Sequence, residues 1–119
     1  NPNLTKANFN YKFTERPEGN HLDISNNREL KTLKNMGGKE FPYLSILRTL
    51  DLKTLNVSDS GLLNLSNLVR LDLEEINIAN TPVRNFQILD EFTTTPTLYV
   101  SRSQDLSKCP KDIKIIYVD

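Results

Sequence analysis

The sequence has little of the residue types on which metal, redox and hydrolytic chemistry depend. Among its 119 residues there is one cysteine, Cys109, and one histidine, His21. A single cysteine excludes an internal disulfide framework and any paired-cysteine metal or redox motif. A single histidine argues against zinc sites that need several His or Cys ligands, and against catalysis by a nucleophile paired with a histidine. We therefore predict a chain that is not an enzyme, with no catalytic residues, no metal site and no cofactor.

Net charge and long apolar runs are also absent. Fifteen Lys and Arg residues balance fifteen Asp and Glu residues, so the formal charge is zero. The long-range field that attracts nucleic acids or anionic membranes is missing. No stretch approaches the ~20 apolar residues that cross a bilayer. We therefore predict one soluble domain that binds no nucleic acid and does not insert into a membrane.

An internal repeat of 21 residues dominates the middle of the chain. Each apolar position of one unit recurs 21 residues later in the next. The first unit carries Leu47, Leu50, Leu52, Leu55, Val57, Leu62, Leu65 and Leu68, and the second carries Leu68, Leu71, Leu73, Ile76, Ile78, Val83, Phe86 and Leu89. No single unit can bury its apolar side alone, so the units must stack on one another.

Short strands are predicted where an aliphatic, an exposed and an aliphatic residue follow one another. Five such tripeptides, spaced 28, 21, 27 and 18 residues apart, are Leu22-Asp23-Ile24, Leu50-Asp51-Leu52, Leu71-Asp72-Leu73, Leu98-Tyr99-Val100 and Ile116-Tyr117-Val118. After a polar turn, Val83, Phe86 and Leu89 follow at a helical spacing. This spacing predicts a helical or 3-10 return on the opposite side of the sheet.

This unit resembles a leucine-rich repeat of the short bacterial type, internalin-like or planctomycete-like, over roughly residues 21–108. The resemblance implies an α/β fold: a short right-handed solenoid with a parallel concave β-sheet and a helical or 3-10 convex side. We expect one domain over 1–119, with an N-terminal cap over 1–20, about four repeats over 21–108 and a closing strand over 109–119. Many family members carry Asn where Leu55 and Ile76 stand, so we expect their ladder of backbone contacts to be absent here.

The predicted strands define columns of exposed residues on the open face, since neighbouring strands of a parallel sheet are stacked in register. The central column is Asp23, Asp51, Asp72, Tyr99 and Tyr117, with Arg70 in the row before it and Lys53 and Glu74 in the row after it. The three aspartates suit a partner whose Lys or Arg side chains neutralise them, and the two tyrosines supply flat contact area to that partner. These eight residues are the predicted partner-binding residues. Alternatively, Arg70 and Lys53 screen a column that is simply solvated.

The predicted function is a protein–protein interaction module that binds a protein or peptide on its concave sheet. The alternative is a structural or regulatory segment of a larger multidomain chain with no ligand of its own. The chain begins with Asn1 rather than Met, as expected of a processed chain or of a piece of a longer one. A third possibility is an ion- or glycan-binding surface that uses the aspartates and the two tyrosines.

Overall fold

The computed structural model describes residues 12–28 and 51–118, which together form one six-stranded sheet with few helices. The strands follow chain order across the sheet: β1 (Lys12–Thr14), β2 (Asn20–Asp23), β3 (Leu52–Asn56), β4 (Glu75–Asn77), β5 (Thr97–Val100) and β6 (Ile115–Tyr117). β1 is antiparallel to β2, and every later pair is parallel. Two short 3-10 helices span Ser66–Leu68 and Gln87–Glu91.

The core lies on one side of this sheet. Its centre is a row of directly paired aliphatic residues, Leu22, Leu55, Ile76 and Leu98, each at most 1% exposed. The helical return is confirmed, because Val83, Phe86 and Leu89 are buried and the second 3-10 helix includes Leu89. All the predicted repeat positions from Leu52 to Leu89 are buried, whereas Leu47 and Leu50 lie outside the described residues.

The strands of the two central units differ from the prediction. Asp51 and Asp72 have φ of 48° and 55°, in the left-handed region. An extended strand needs negative φ, so it cannot run through either residue, and Asp is among the few residues that adopt this conformation readily. The strands centred on Asp51 and Asp72 are therefore wrong. The next apolar position of each unit, Leu55 or Ile76, occupies the sheet instead.

The predictions for the first, fourth and last strands have different outcomes. Leu22 and Leu98 lie in β2 and β5 as predicted. In β6, however, Ile115 pairs with Leu98, so Tyr117 pairs with Val100 rather than with Tyr99. A shift of one residue moves each side chain to the other face of a sheet. The predicted position of Tyr117 beside Tyr99 is therefore wrong.

The bends after β2, β3 and β4 are built in the same way. In each bend a buried polar side chain donates to the backbone carbonyl of the first residue after the strand: Asn27 to Ile24 at 2.8 Å, Ser60 to Val57 at 2.7 Å and Thr81 to Ile78 at 2.7 Å. The residue just before each of these has positive φ, at Asn26, Asp59 and Asn80. The expectation that ladder contacts are absent is wrong, because in the two central units the strand and its bend lie later than predicted.

The predicted caps fall partly on residues that the structure describes. β1 lies at the end of the N-terminal cap and packs Phe13 against the core, while residues 1–11 lie outside the described residues. Residues 29–50 of the repeat region and Asp119 also lie outside them. β6 falls in the segment predicted to close the sheet. In residues 12–28 and 51–118, no helix has the length and apolar character needed to span a membrane.

Gly19 fixes the turn between β1 and β2. Its φ of 130° is accessible to glycine and strained for other residues. A Cβ atom at this position would lie 2.0 Å from Cγ of Lys53, so the stem of Lys53 packs directly over the glycine. This contact holds Lys53 at the start of β3.

Candidate binding site on the open face of the sheet

The face opposite the core carries two rows of polar residues. Side chains alternate along a strand, so the residues flanking the buried central row point to the open side. The row before it contains His21, Thr54, Glu75 and Thr97, and the row after it contains Asp23, Asn56, Asn77, Tyr99 and Ile116. A shallow depression of about 170 Å³ crosses β2 to β5 on this face, lined by His21, Thr54, Leu55, Asn56, Glu75, Asn77 and Tyr99. We call it the open-face depression.

Two of the predicted partner-binding residues lie on this face. Asp23 and Tyr99 share a row, but Asn56 and Asn77 stand between them where aspartates were predicted. Asp51 and Asp72 are exposed in the turns before β3 and β4. The hydroxyl of Thr93 donates to the carboxylate of Asp72. The predicted aspartate column is therefore wrong, and the ion-binding alternative loses the arrangement on which it depended.

The other predicted partner-binding residues do not line the open-face depression. Arg70 and Glu74 are exposed in the segment that leads into β4, and Lys53 is half-buried against Gly19. Tyr117 is exposed on β6, where the guanidinium carbon of Arg102 lies 4.8 Å from its ring centroid. Within residues 12–28 and 51–118, no cluster of three or more His, Cys, Asp or Glu residues has the arrangement of a metal site.

Asn56 and Asn77 are held in fixed orientations by their own turns. Oδ1 of Asn56 accepts from the backbone N–H of Ser58 at 3.0 Å and from its hydroxyl at 2.7 Å. Oδ1 of Asn77 accepts from the backbone N–H of Ala79 at 3.0 Å. Such Asx turns are a common conformation of Asn. Because the turn occupies the amide oxygens, the amide nitrogens remain as hydrogen-bond donors for the open face.

Tyr99 and Glu75 form the polar centre of the depression. Both side chains line the depression, Tyr99 from β5 and Glu75 from the neighbouring strand β4. Burial raises the pKa of Tyr99, and the charge and hydrogen bond of Glu75 raise it further, because all three disfavour a phenolate. Tyr99 is therefore a neutral donor at physiological pH. The exposed carboxylate of Glu75 lies beside the Tyr99 side chain in the same depression.

His21 closes the other end of the depression as a neutral imidazole. Its Nδ1 lies 2.5 Å from the hydroxyl oxygen of Thr54 on β3. Burial lowers the pKa of His21 below its usual value, and Arg16 lowers it further. Asp23 and Glu75 act in the opposite direction without reversing the shift. At neutral pH the depression therefore carries the negative charge of Glu75 with no cationic side chain in its lining.

The lowered pKa of His21 predicts an acid-dependent loss of stability. Below the unfolded-state value of 6.5 the unfolded chain binds more protons than the folded one, so stability falls as the pH falls through the folded pKa. Urea unfolding at about pH 7.5 and about pH 5.5 measures this loss. In His21→Gln the difference between the two pH values should shrink. An unchanged difference would contradict the assignment, since the sequence has no other histidine.

Sequence reasoning missed most of the residues that line the depression. Tyr99 was among the predicted partner-binding residues, whereas the other polar lining residues were not: His21, Thr54, Asn56, Glu75 and Asn77. A signal for them exists in the residues that follow the strands. The segments Leu22-Asp23-Ile24-Ser25, Leu55-Asn56-Val57-Ser58 and Ile76-Asn77-Ile78-Ala79 share an Asp or Asn between two aliphatic residues and a small residue after them. Aligning these segments gives the observed register.

Comparisons of the chain with protein-family models, with curated proteins and with solved structures gave no significant match. The inference of function therefore rests on the chain itself. Its open-face depression combines amide and hydroxyl donors, a carboxylate and an aromatic ring on adjacent strands. This arrangement can bind a polar chain through several hydrogen bonds at once.

Proposed function

We propose that this chain is a short leucine-rich-repeat solenoid that acts as a non-enzymatic recognition module and binds a protein or peptide on the open face of its sheet. One observation carries the proposal: four adjacent strands contribute hydrogen-bonding side chains and one tyrosine to a single exposed depression. Tyrosine is enriched at protein interfaces because it adds contact area with few rotatable bonds.

The repeated construction of the bends supports the solenoid part of the proposal. In each of three units a buried polar side chain donates to the carbonyl of the first residue after the strand, as Ser60 and Thr81 do in successive units. The strands before these bends are parallel neighbours in chain order. Units that contact mainly their neighbours and repeat the same local contacts are typical of solenoids.

The size and chemistry of the depression favour a peptide over a small-molecule substrate. Its volume of about 170 Å³ is smaller than the roughly 300–1,000 Å³ of common small-molecule sites. The imidazole of His21 is engaged with Thr54, and Tyr99 is kept neutral, so neither is poised as a nucleophile. Burial, Asp112 and Asp90 raise the pKa of the Cys109 thiol, which disfavours the reactive thiolate.

A structural or regulatory segment of a larger chain remains the second candidate, and one feature favours it. Tyr117 and Val118 are large apolar residues at the β6 edge of the sheet, and they are 45% and 48% exposed. Apolar side chains at a sheet edge suit burial against a further segment. In that case the open face would tolerate substitution, whereas a recognition face would not.

An arginine at the centre of the open face separates the two candidates. We expect Thr54→Arg to fill the depression and to weaken partner binding at least tenfold, about 1.4 kcal/mol, because Thr54 is among its lining residues. The measurement is affinity capture from the source organism on the immobilised chain, followed by binding of each purified captured protein. The matched control is Thr95→Arg, an exposed threonine in the loop before β5. Proteins retained equally by both variants would favour the structural role.

A further inference from the structure

We propose that the open-face depression holds one lysine or arginine side chain of an extended peptide, between the carboxylate of Glu75 and the ring of Tyr99. This inference rests on the proposed function and names the chemistry of the partner. The depression has a volume of about 170 Å³ and opens to solvent across β2 to β5. That space suits the end of one long side chain better than a whole folded element.

The charges of the lining residues select a cation. Glu75 is the acidic residue of the lining, and the lining contains no Lys or Arg. An ammonium or guanidinium group donates strong hydrogen bonds to a carboxylate. The same group gains from contact with the face of a tyrosine ring. Since Glu75 and Tyr99 line the same depression from neighbouring strands, both recognition groups are side by side before the peptide arrives.

Lys53 lies on β3, the strand next to Glu75, but its stem packs over Gly19, just before β2 and on the side of β3 away from β4. The lysines of the outer strands lie farther from Glu75. Lys12 lies on β1, and β2 and β3 separate it from Glu75 on β4. Lys114 immediately precedes β6, two strands beyond β4. Two strand spacings are about 10 Å, which is comparable with the screening length at about 0.1 M salt. The negative charge of Glu75 therefore remains available to a ligand.

Asn56 and Asn77 extend the site from a side-chain pocket to a peptide groove. They are Cα partners on adjacent strands, so their side chains lie about 5 Å apart along one row. With their amide oxygens bound in Asx turns, their amide nitrogens can donate to peptide carbonyls. A peptide that crosses the strands along this row brings its central side chain to Glu75. A free amine lacks these backbone contacts and should bind more weakly than a peptide.

The test uses soluble nonapeptide pools with a fixed central Lys, Arg, Glu or norleucine and mixed residues elsewhere, measured by fluorescence polarisation. Norleucine retains the apolar length of lysine without its charge. We expect the Lys and Arg pools to bind about tenfold more tightly than the norleucine pool, which is the usual scale of one charge-assisted hydrogen bond. The Glu pool should bind more weakly still, because its carboxylate opposes Glu75.

The variant Glu75→Gln separates charge recognition from general binding. Gln keeps an acceptor for Tyr99 and removes the charge, so the Lys preference over norleucine should fall close to one. The matched control is Glu74→Gln, which removes an exposed carboxylate outside the depression and should retain the preference. Thermal unfolding of both variants checks that each is folded.

Each result decides between the two proposals. A Lys preference that survives Glu75→Gln overturns the inference. Peptides that bind without charge preference and are lost in Thr54→Arg also overturn it, while the recognition role stands. If no pool binds at millimolar concentration, the basic-peptide site is rejected. The capture experiment with intact proteins then decides the proposed function separately.

Discussion

We expect Leu55→Ala to lower the free energy of unfolding by about 2–5 kcal/mol, the range for truncating a buried leucine. Leu55 is 1% exposed and lies at the centre of the sheet between Leu22 and Ile76, its partners on β2 and β4. Both neighbours belong to hydrogen-bonded strands, so they cannot move far to fill the cavity. The loss is measured by urea unfolding followed by far-ultraviolet circular dichroism.

Leu63→Ala is the matched control for this experiment. Leu63 is 47% exposed, and the same substitution there should change stability by no more than about 0.5 kcal/mol. Similar losses in Leu55→Ala and Leu63→Ala would contradict the assigned inward and outward positions. A fully unfolded Leu55→Ala would instead agree with a thin core in which each unit depends on its neighbours.

Ser60→Ala should lower the free energy of unfolding by about 1–3 kcal/mol, because it leaves buried backbone groups without partners. Ser60 is 1% exposed. Its hydroxyl donates to the carbonyl of Val57 at 2.7 Å and accepts from the N–H of Leu62 at 3.3 Å. Alanine preserves the packing volume but removes both bonds. Chemical unfolding at constant pH measures the difference.

Ser66→Ala provides the control for the buried serine. The hydroxyl of Ser66 donates to Oδ1 of Asn64 at 2.7 Å, but this pair is exposed and water can replace it. The change should therefore lie within about 0.5 kcal/mol. The variant Ser60→Thr should retain most of the stability, since Thr81 makes the same bond in the next unit. Equal costs for the two alanine variants would reject the role of the buried bend.

The buried positions were predictable because apolar residues recur at the same positions of each unit. The 21-residue recurrence of apolar residues marks the core from Leu52 to Leu89 without reference to strand boundaries. The return segment with Val83, Phe86 and Leu89 was predictable for the same reason, since its spacing matches one helical face. These features depend on which side chains are apolar, and the residue types alone give that information.

The register of the central strands was not predictable from the recurrence alone. A repeat looks the same whichever point is chosen as its start, so Leu71 and Leu73 match the strand pattern as well as Ile76 and Ile78 do. The positive φ of Asp72 excludes the strand over Leu71 and Leu73, because an extended strand cannot pass through this residue. In this conformation the carboxylate of Asp72 accepts a hydrogen bond from the hydroxyl of Thr93.

The register of the central strands decides which of their residues belong to the candidate site. Moving the strand onto Ile76 places Glu75 and Asn77 on the open face and removes Asp72 from it. The prediction therefore retained Asp23 and Tyr99, whose strands were assigned correctly, and lost the residues between them. Similarly, a shift of one residue in β6 separated Tyr117 from Tyr99.

The sequence by itself determined that this chain has repeated units, a shared apolar core and few residues suited to catalysis, because these follow from the kind and spacing of its side chains. The tertiary structure decided which residues face solvent together. Strand pairing has a period of two, so the open surface depends on where each strand begins. Only the pairing of β3, β4 and β5 brings Asn56, Glu75 and Tyr99 into one depression.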